Sequence, residues 1–368
     1  MESQPQQPEK PHKRRIHYSG HYPKRYEEKY KELQPEKYGA EIAHVMAKGN
    51  TPAGMHIPIM VEEILTVLQI QPGEHGFDAT LGYGGHTLRM LEKLQGKGHL
   101  IGGDVDPIES AKTEQRIRAQ GYGPDIWERR QMNFCQIDEL AAEVGPFDFV
   151  LADLGVSSMQ IDNPARGFTY KADGPLDLRL NPEAGISAAE RLRELDKDEL
   201  IGMLQENADE PYAAEIAREI IRTQRHRPIE TTVALHEAVV RALAKVPLPP
   251  EMKEKAGYST KNQAAARTQL TKKSSARVFQ ALRIDVNHEY EVLYEFMEKL
   301  PAALAPGGRV AILTFHSGED RIVKQAFKAY HQQGLYRAIA KDVIRPGKEE
   351  CYRNPRAHST KLRWAIRA

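Results

Sequence analysis

A short apolar strand that runs into a glycine-rich turn constrains this chain most. The stretch spans Gly76 to Thr87, and the apolar residues after it have helical spacing: Leu88, Met90, Leu91 and Leu94. Glycine suits such a turn because it adopts positive φ and lets a ligand approach the backbone closely. A second apolar run ends in Asp104, a position from which a carboxylate accepts hydrogen bonds from a ribose diol. The pattern predicts a nucleoside-binding doubly wound sheet, with a tight turn and a strand-end cap as the purely structural alternative.

Further strands continue the predicted sheet. Residues 129–133 are the expected third strand, with Phe134 in the loop after it. Ligands bind at the carboxyl ends of parallel strands, so Phe134 can stack on an adenine; an ordinary core phenylalanine is the alternative. The fourth strand, Phe147 to Asp153, puts a carboxylate at the same edge as the glycine turn. The last predicted strands are 309–315 and an antiparallel pair, 335–339 and 361–366.

Between the fourth and fifth strands the alternation of strand and helix stops. Capping boxes that begin at Ser187 and Asp196 predict short helices in series. We expect residues 163–271 to form a helical domain inserted into the sheet domain. The sheet domain would then consist of residues 51–162 and 272–368, and its second part would open with one long helix over 279–300.

Two segments carry an excess of positive charge. Residues 1–50 are rich in Gln, Pro, Lys and Arg, which predicts a flexible tail. Its tyrosines, repeated every four residues beside cations, are able to stack bases, although a solvated arm on the chain's own domain is the alternative. Residues 251–277 hold seven Lys or Arg against two acids and are interpreted as a solvated loop or a mobile phosphate contact.

Composition narrows the class of protein. A net charge of +1 over 368 residues means that any contact with a polyanion depends on local patches. Two cysteines imply no disulfide framework, and no apolar segment suggests export or membrane insertion, so a cytoplasmic protein is expected. No group of His, Cys and acidic residues has metal-binding spacing, so no metal is expected.

Eight short motifs are distributed from residue 56 to the C-terminus. They are His56-Ile57-Pro58, Gly82-x-Gly84-Gly85-His86, Asp153-Leu154-Gly155-Val156-Ser157-Ser158-x-Gln160, Arg166-Gly167-Phe168, Asp173-Gly174-Pro175-Leu176-Asp177, Phe279-Gln280-Ala281-Leu282-Arg283-Ile284, Phe315-His316-Ser317 with Glu319-Asp320-Arg321, and Asn354-Pro355-Arg356-Ala357. In this order they resemble the RsmH (MraW) family of S-adenosylmethionine-dependent methyltransferases. That family methylates N4 of a cytosine in the decoding region of small-subunit (16S) rRNA. The resemblance implies an α/β fold of the class I methyltransferase type with an inserted helical domain, the small ribosomal subunit as partner, and no DNA.

The same resemblance implies a set of contacts to S-adenosylmethionine. The residues are Gly84, Gly85 and His86 at the methionine end, Asp104 at the ribose, Phe134 by the adenine, then Asp153 and Gln160. A hydrogen bond or a helix start is the expected role of His86, with general-base catalysis as the alternative. Asp153 is the expected catalytic acceptor for the amine N–H groups, and the alternative is that it only ties down the loop or the cofactor. Phe168 and Tyr170 are expected to flank the unstacked target base.

Other chemistries fit the sequence less well. The exocyclic amine of cytosine is a poor nucleophile, so alignment with the sulfonium methyl matters more than a strong base. Methylation at carbon 5 needs a thiolate, and Cys135 lacks an activating partner, so a small buried residue is expected. A hydrolase triad with Ser157 or Ser158 is disfavoured because no Gly-x-Ser-x-Gly elbow is present. The turn also lacks the third glycine of a nicotinamide-dependent oxidoreductase.

Three departures from the family pattern leave the target nucleotide open. The chain has Lys273-Ser274-Ser275-Ala276-Arg277 where members have His-Pro-Ala-Thr-Arg, Gly318 where leucine is usual, and a longer tail before His56. Two alternatives therefore stand beside the main hypothesis. One is a diverged paralogue that acts on another RNA cytosine, and the other is a non-catalytic ribosome-assembly factor. The oligomeric state is also open, with a dimer as one option.

Overall fold

The computed structural model describes residues 58–368, which contain one seven-stranded sheet. Its strands are β1 His75–Asp78, β2 His99–Asp104, β3 Trp127–Gln131, β4 Phe147–Asp153, β5 Leu304–Thr314, β6 Tyr336–Ile339 and β7 Lys361–Arg367. The spatial order is β3-β2-β1-β4-β5-β7-β6. Strands β1 to β5 run parallel, whereas β7 is antiparallel to both β5 and β6. The expected class I methyltransferase fold is thereby confirmed, and the strand order reverses between β1 and β4, where such sheets bind ligands.

Helices cover the sheet and fill the long connection between β4 and β5. They are α1 Val61–Leu68, α2 Gly85–Leu94, α3 Pro107–Ala119, α4 Ile137–Val144, α5 Ser158–Asp162, α6 Ala188–Glu194, α7 Lys197–Ala208, α8 Ala213–Gln224, α9 Thr232–Leu243, α10 Pro250–Ala256, α11 Thr260–Val286, α12 Glu289–Ala303, α13 Ser317–Gln332 and α14 Lys348–Arg353. None of these helices is both long enough and apolar enough to span a bilayer.

The sheet is buried on both faces. Residues of α1, α2 and α3 pack on one face around Trp127 and Phe149. Residues of α4, α12 and α13 pack on the other face around Phe77 and Phe147, whose rings stack at 5.4 Å. Double coverage explains why β4 is apolar without interruption from Phe149 to Ala152, since a strand buried on both sides has no polar face.

Helices α6 to α11 share a separate hydrophobic cluster, which includes Leu200, Ile216, Leu235 and Phe279. Between β4 and β5 the described chain forms no strand, only an isolated bridge from Pro175 to Thr231. The two predicted capping boxes are present at the starts of α6 and α7. The division into domains remains a prediction, and its proposed border between 271 and 272 lies within α11.

The structure corrects two predictions about the end of this helical segment. Residues 251–277 are not a loop, because they belong to α10 and α11. The single helix expected over 279–300 is also wrong, since α11 ends at Val286 and α12 begins at Glu289. The break is held by Asn287, whose side chain accepts a hydrogen bond from Leu180 N and donates one to Leu178 O.

The fifth strand is longer than predicted, because β5 begins at Leu304 rather than at residue 309 and ends at Thr314 rather than at residue 315. The other strand predictions differ from the structure by smaller shifts. β3 occupies residues 127–131 rather than 129–133, because Asn133 already caps a short 3-10 helix, Phe134–Gln136. The antiparallel pair β6 and β7 lies within one residue of its predicted bounds. The predicted tail, 1–50, and its tyrosine repeat lie outside the described residues.

Candidate active site

A cavity of about 1020 Å³ lies at the carboxyl ends of the parallel strands. One wall is formed by the glycine turn after β1 and by the ends of β2, β4 and β5. The facing walls come from residues 180–191, from the junction of α11 and α12, and from residues 354–359. The volume falls at the upper end of the range for small-molecule sites, so the cavity has room for a nucleoside cofactor and part of a second ligand.

The glycines of this turn differ in the space around the position that a Cβ would occupy. Gly84 has φ 73°, and a Cβ there would lie 2.7 Å from the Thr113 methyl group, so its side faces α3 rather than the cavity. Gly85 is equally restricted, because a Cβ would overlap the ring of Pro58. Gly82 is the glycine of this turn with room towards the cavity, since a Cβ there would meet nothing closer than Thr80 O at 3.8 Å. Of the predicted contacts, Gly85 lies in the cavity wall and Gly84 does not.

Asp104 joins the ends of β1 and β2 at the predicted ribose position. Its Oδ2 accepts from Gly82 N at 2.7 Å, and its Oδ1 accepts from Asp106 N at 2.8 Å. Burial raises the pKa of Asp104 to about 6, against the effect of these two hydrogen bonds. Each carboxylate oxygen keeps a second lone pair, so the side chain can still accept hydrogen bonds from ribose hydroxyls.

Phe134 contacts both the hydrophobic core and the cavity. It lies in the cavity wall and packs edge-to-face on Phe296, with ring centroids 5.1 Å apart. Phe134 therefore packs against the core and also borders the cavity, and its contact with an adenine stays a prediction. The neighbouring Cys135 is a free, buried thiol, and burial raises its pKa to about 11. A thiol with that pKa stays protonated near neutrality, as expected for a packing residue.

Asp153 and His86 meet in the cavity wall between β4 and α2. The Asp153 Oδ2 atom is 3.5 Å from His86 Nδ1, and the other ring nitrogen, Nε2, lies 2.9 Å from Ile59 O. Burial lowers the pKa of His86, so its ring is neutral and Nε2–H donates to the carbonyl. The Nδ1 lone pair then faces Asp153.

The second oxygen of Asp153 has no protein partner. Oδ1 is shielded from solvent and accepts no hydrogen bond from any residue in 58–368. Burial, together with the nearby charge of Glu319, raises the pKa of Asp153 to about 7. Unpaired buried acceptors are rare because they cost free energy. The Asp153 side chain as a whole is 28% exposed and lies in the cavity wall, so a ligand there can supply a hydrogen-bond donor to this carboxylate.

Gln160 is tied to its own helix and to a residue that sequence reasoning did not single out. Its Oε1 accepts from Ser157 N, completing the capping box of α5, and its Nε2 donates to Asp106 Oδ2. Arg166 donates to the same oxygen of Asp106 at 2.8 Å and to the carbonyl oxygens of Arg179 and Leu180. Asp106 was identifiable from the sequence only as the cap of α3, since its partners lie far along the chain.

The wall opposite the glycine turn is rich in charge. Arg283 donates two hydrogen bonds of 2.7 Å to the carboxylate of Glu289, and His316 Nε2 lies 3.0 Å from Glu319 Oε1. In the described part of the chain, Glu289, His316 and Glu319 are the group whose ligand atoms lie close enough to hold a metal, within 4.8 Å of one another. Sequence spacing did not reveal this group. Arg283 already balances one of its carboxylates, which reduces the attraction for a cation.

The structure does not place Phe168 and Tyr170 at the cavity. Tyr170 stacks on His236 at 4.2 Å and packs near Phe279 in the helical cluster. The expectation that the two residues flank a base in the pocket is therefore wrong for this conformation. The aromatic side chains in the cavity wall are Tyr83, Phe134 and Phe315.

Comparison with known proteins identifies the family of this chain. The model of the MraW methylase family matches residues 53–368. The chain belongs to the MraW methylase family. It is 61% identical to ribosomal RNA small subunit methyltransferase H 1 of Agathobacter rectalis, over 98% of this chain and 99% of that protein. It is 56% identical to the H 1 protein of Lachnoclostridium phytofermentans, over 100% of this chain and 97% of that protein.

Membership confirms the expected family, the activity class of methyltransferase and the methyl donor, S-adenosylmethionine. The cavity suits that donor because it combines the open side of Gly82, the acceptor Asp104, the ring of Phe134 and the unpaired Oδ1 of Asp153. The relative from Agathobacter rectalis aligns over 361 residues and so shares most of the segment before His56 that is longer than the family pattern.

Proposed function

We propose that this protein methylates N4 of a cytosine in small-subunit (16S) rRNA, in the cytoplasm, with the small ribosomal subunit as its partner. The observation that carries the proposal is the carboxylate of Asp153. It lies in the cavity wall at the edge of the sheet where the donor would bind, and its Oδ1 has no partner among residues 58–368. The printed names of the relatives, which are small-subunit rRNA methyltransferases, support the RNA class.

The donor would be held along the ends of β1, β2 and β4. Asp104 would accept from the ribose, Phe134 would lie against the adenine, and Gly82, Gly85 and His86 would surround the methionine end, with Asp153 and Gln160 beside it. When bound, S-adenosylmethionine supplies an electrophilic methyl group on a positively charged sulfur. That positive charge favours the ionised carboxylate of Asp153 and lowers its pKa.

Asp153 would orient the target amine through the part of its carboxylate that is exposed in the cavity wall. The amine of cytosine carries two N–H donors, and an acceptor aimed at one of them fixes the direction of the nitrogen lone pair. As the nitrogen becomes pyramidal and gains positive charge, the same hydrogen bond strengthens, which stabilises the transition state more than the ground state.

The proton released from the amine needs an acceptor with a suitable pKa. The raised pKa of Asp153, about 7, suits a group that takes up a proton at neutral pH and returns it to water. Behind it, the Nδ1 lone pair of His86 lies 3.5 Å from Oδ2. The neutral ring favours the protonated form of Asp153 once the amine has given up its proton.

Nucleoside analysis tests the proposal directly. The purified protein is incubated with isotope-labelled S-adenosylmethionine and small subunits from cells that lack the modification, and the digested rRNA is examined by mass spectrometry. We expect label in N4-methylcytidine. Asp153→Asn should still bind the donor but transfer the methyl group at least about a hundredfold more slowly, as for loss of one transition-state acceptor. The matched control is Asp148→Asn, on the same strand but at its opposite end.

The outcomes separate the alternatives. Label at a different cytosine of another RNA would favour a diverged paralogue. Donor and subunit binding with no labelled nucleoside would favour an assembly factor without turnover. Label in 5-methylcytidine would refute the proposed chemistry.

A further inference from the structure

Helix α11 connects the cavity to the outer surface of the protein. It spans 27 residues, about 40 Å at 1.5 Å per residue. Arg283, Asp285 and Val286, at its C-terminal end, line the cavity, whereas most of residues 260–269, at the other end, are exposed. The inner side of its second half packs through Leu270, Val278 and Leu282 into the helical cluster. One rigid element therefore extends from the cavity wall into solvent.

The charge on this stretch has a single sign. From residue 255 to residue 284 the chain has seven Lys or Arg and no Asp or Glu. The arginines have structural partners: Arg267 donates to two carbonyl oxygens at the end of α9, Arg277 lies 3.7 Å from a Glu210 oxygen, and Arg283 pairs with Glu289.

Three lysines of α11 carry charge that no described residue balances. Lys261, Lys272 and Lys273 are exposed, and none of them forms an ion pair within residues 58–368. Lys261 and Lys272 are about three helical turns apart and so project the same way, while Lys273 extends the row around the solvent side. We call these three residues the lysine face.

The residues that depart from the family pattern explain how the lysine face is oriented. Ser274 donates to Glu210 Oε1 at 3.0 Å, and the Ser275 hydroxyl lies 2.8 Å from His236 Nδ1, so both serines point inward. Their inward packing turns Lys272 and Lys273 outward. Few large apolar side chains accompany them; Tyr258, at the turn before the helix, is fully exposed.

We propose that the lysine face binds the phosphate backbone of the rRNA whose target base enters the cavity. A row of cations on a stretch of helix that has no acids and few large apolar neighbours suits a polyphosphate, because counterion release rewards each neutralised phosphate. Protein interfaces, in contrast, usually have an apolar core, which this face lacks. The identity of the RNA rests on the proposed function; the phosphate contact does not.

The salt dependence of RNA binding tests this contact. The variant Lys261→Gln/Lys272→Gln/Lys273→Gln keeps good helix formers and removes three charges. Its affinity for a transcribed small-subunit rRNA fragment containing the decoding region is measured at several salt concentrations. We expect the slope of log K against log salt to be shallower by about 2, and binding in low salt to be about tenfold weaker or more. Binding of S-adenosylmethionine should remain unchanged.

A matched variant controls for net charge. Lys93→Gln/Lys97→Gln/Lys328→Gln removes three exposed lysines from α2, its following turn and α13, none of which forms an ion pair within residues 58–368. We expect its salt slope to match that of the wild type. An unchanged slope for the lysine-face variant would overturn the inference.

Two further results distinguish the phosphate contact from a contact with a ribosomal protein and from the proposed function. Normal binding of the variant to free rRNA, combined with weak binding to assembled subunits, would point to an acidic protein and also overturn it. A shallower slope in a protein whose wild type forms no N4-methylcytidine would support the phosphate contact while refuting the proposed function.

Discussion

The guanidinium of Arg166 lies 2.8 Å from Asp106 Oδ2, and their side chains are only 10% and 2% exposed. This ion pair links the end of β2 to the loop that leads into the helical segment. Because Asp106 also caps α3 and accepts from Gln160, one carboxylate holds three parts of the cavity wall together.

Arg166→Gln should destabilise the protein by about 3 kcal/mol, since a buried carboxylate loses its charged partner. Arg166→Lys should fall between this variant and the wild type, because it keeps the charge but loses the contacts with the carbonyls of Arg179 and Leu180. Urea unfolding measures both. Equal stability of wild type and Arg166→Gln would show that the ion pair contributes nothing net.

Asp153→Asn should stabilise the donor-free protein while it slows methyl transfer. The folded-state pKa, about 7, lies above the ordinary value of 3.8, so the folded protein holds this proton more tightly than the unfolded chain. Wild-type stability therefore falls as pH rises from about 4 to about 7, and the neutral amide escapes this loss. We expect the variant to melt about 2–4 °C higher at pH 8 and at nearly the same temperature as wild type at pH 4. The same difference at both pH values would contradict the assignment.

The rate of methyl transfer should depend on the ionised form of Asp153. We expect kcat/KM to fall about tenfold for each pH unit below about 7, because protonation removes the acceptor. The residual activity of Asp153→Asn should lack that inflection. Rates measured from pH 5.5 to pH 8.5 decide the point, and Asp148→Asn should reproduce the wild-type profile.

The side chain of Tyr290 leaves no room for a Cβ at position 318, which explains why this chain has Gly318 where leucine is usual in the family. A Cβ at position 318 would overlap the tyrosine hydroxyl, which donates to Asn207 O. Gly318→Leu should cost about 1–3 kcal/mol of stability through overpacking. The cost should shrink when it is combined with Tyr290→Ala in a double-mutant cycle. Gly202→Leu is the control, since a Cβ there has open space; additive effects at 318 and 290 would argue against the steric explanation.

Cys135→Ala should leave methyl transfer within about twofold of wild type. The thiol is buried and its raised pKa, about 11, keeps it protonated, so it is not poised for nucleophilic attack. Initial rates with wild-type and variant protein provide the measurement. A loss as large as that of Asp153→Asn would favour chemistry at carbon 5 of the base instead.

The sheet could be predicted from the sequence because its signals are local. Buried parallel strands are apolar runs, and the residues at their carboxyl ends, Asp104 and Asp153, must meet at one edge whatever the details of packing. Capping boxes at Ser187 and Asp196 likewise depend on residues three positions apart.

The predictions from sequence were wrong where contacts between residues far apart in the chain determine the structure. The first half of α11 shows little apolar periodicity because it is exposed, so its charge resembled that of a loop. The break between α11 and α12 depends on hydrogen bonds from Asn287 to residues near 180. Tyr170 is held in the helical cluster by His236, and no local pattern in the sequence indicates that stacking.

The position of β7 has a consequence for how the sheet is completed. This strand lies between β5 and β6 and pairs with both, although it is synthesised after them. A nascent chain that ends before residue 361 thus presents two bare strand edges, which are templates for aggregation. The seven-stranded sheet is complete only after β7 inserts between β5 and β6. Truncated translation products that lack β7 should therefore precipitate more readily than the full-length protein.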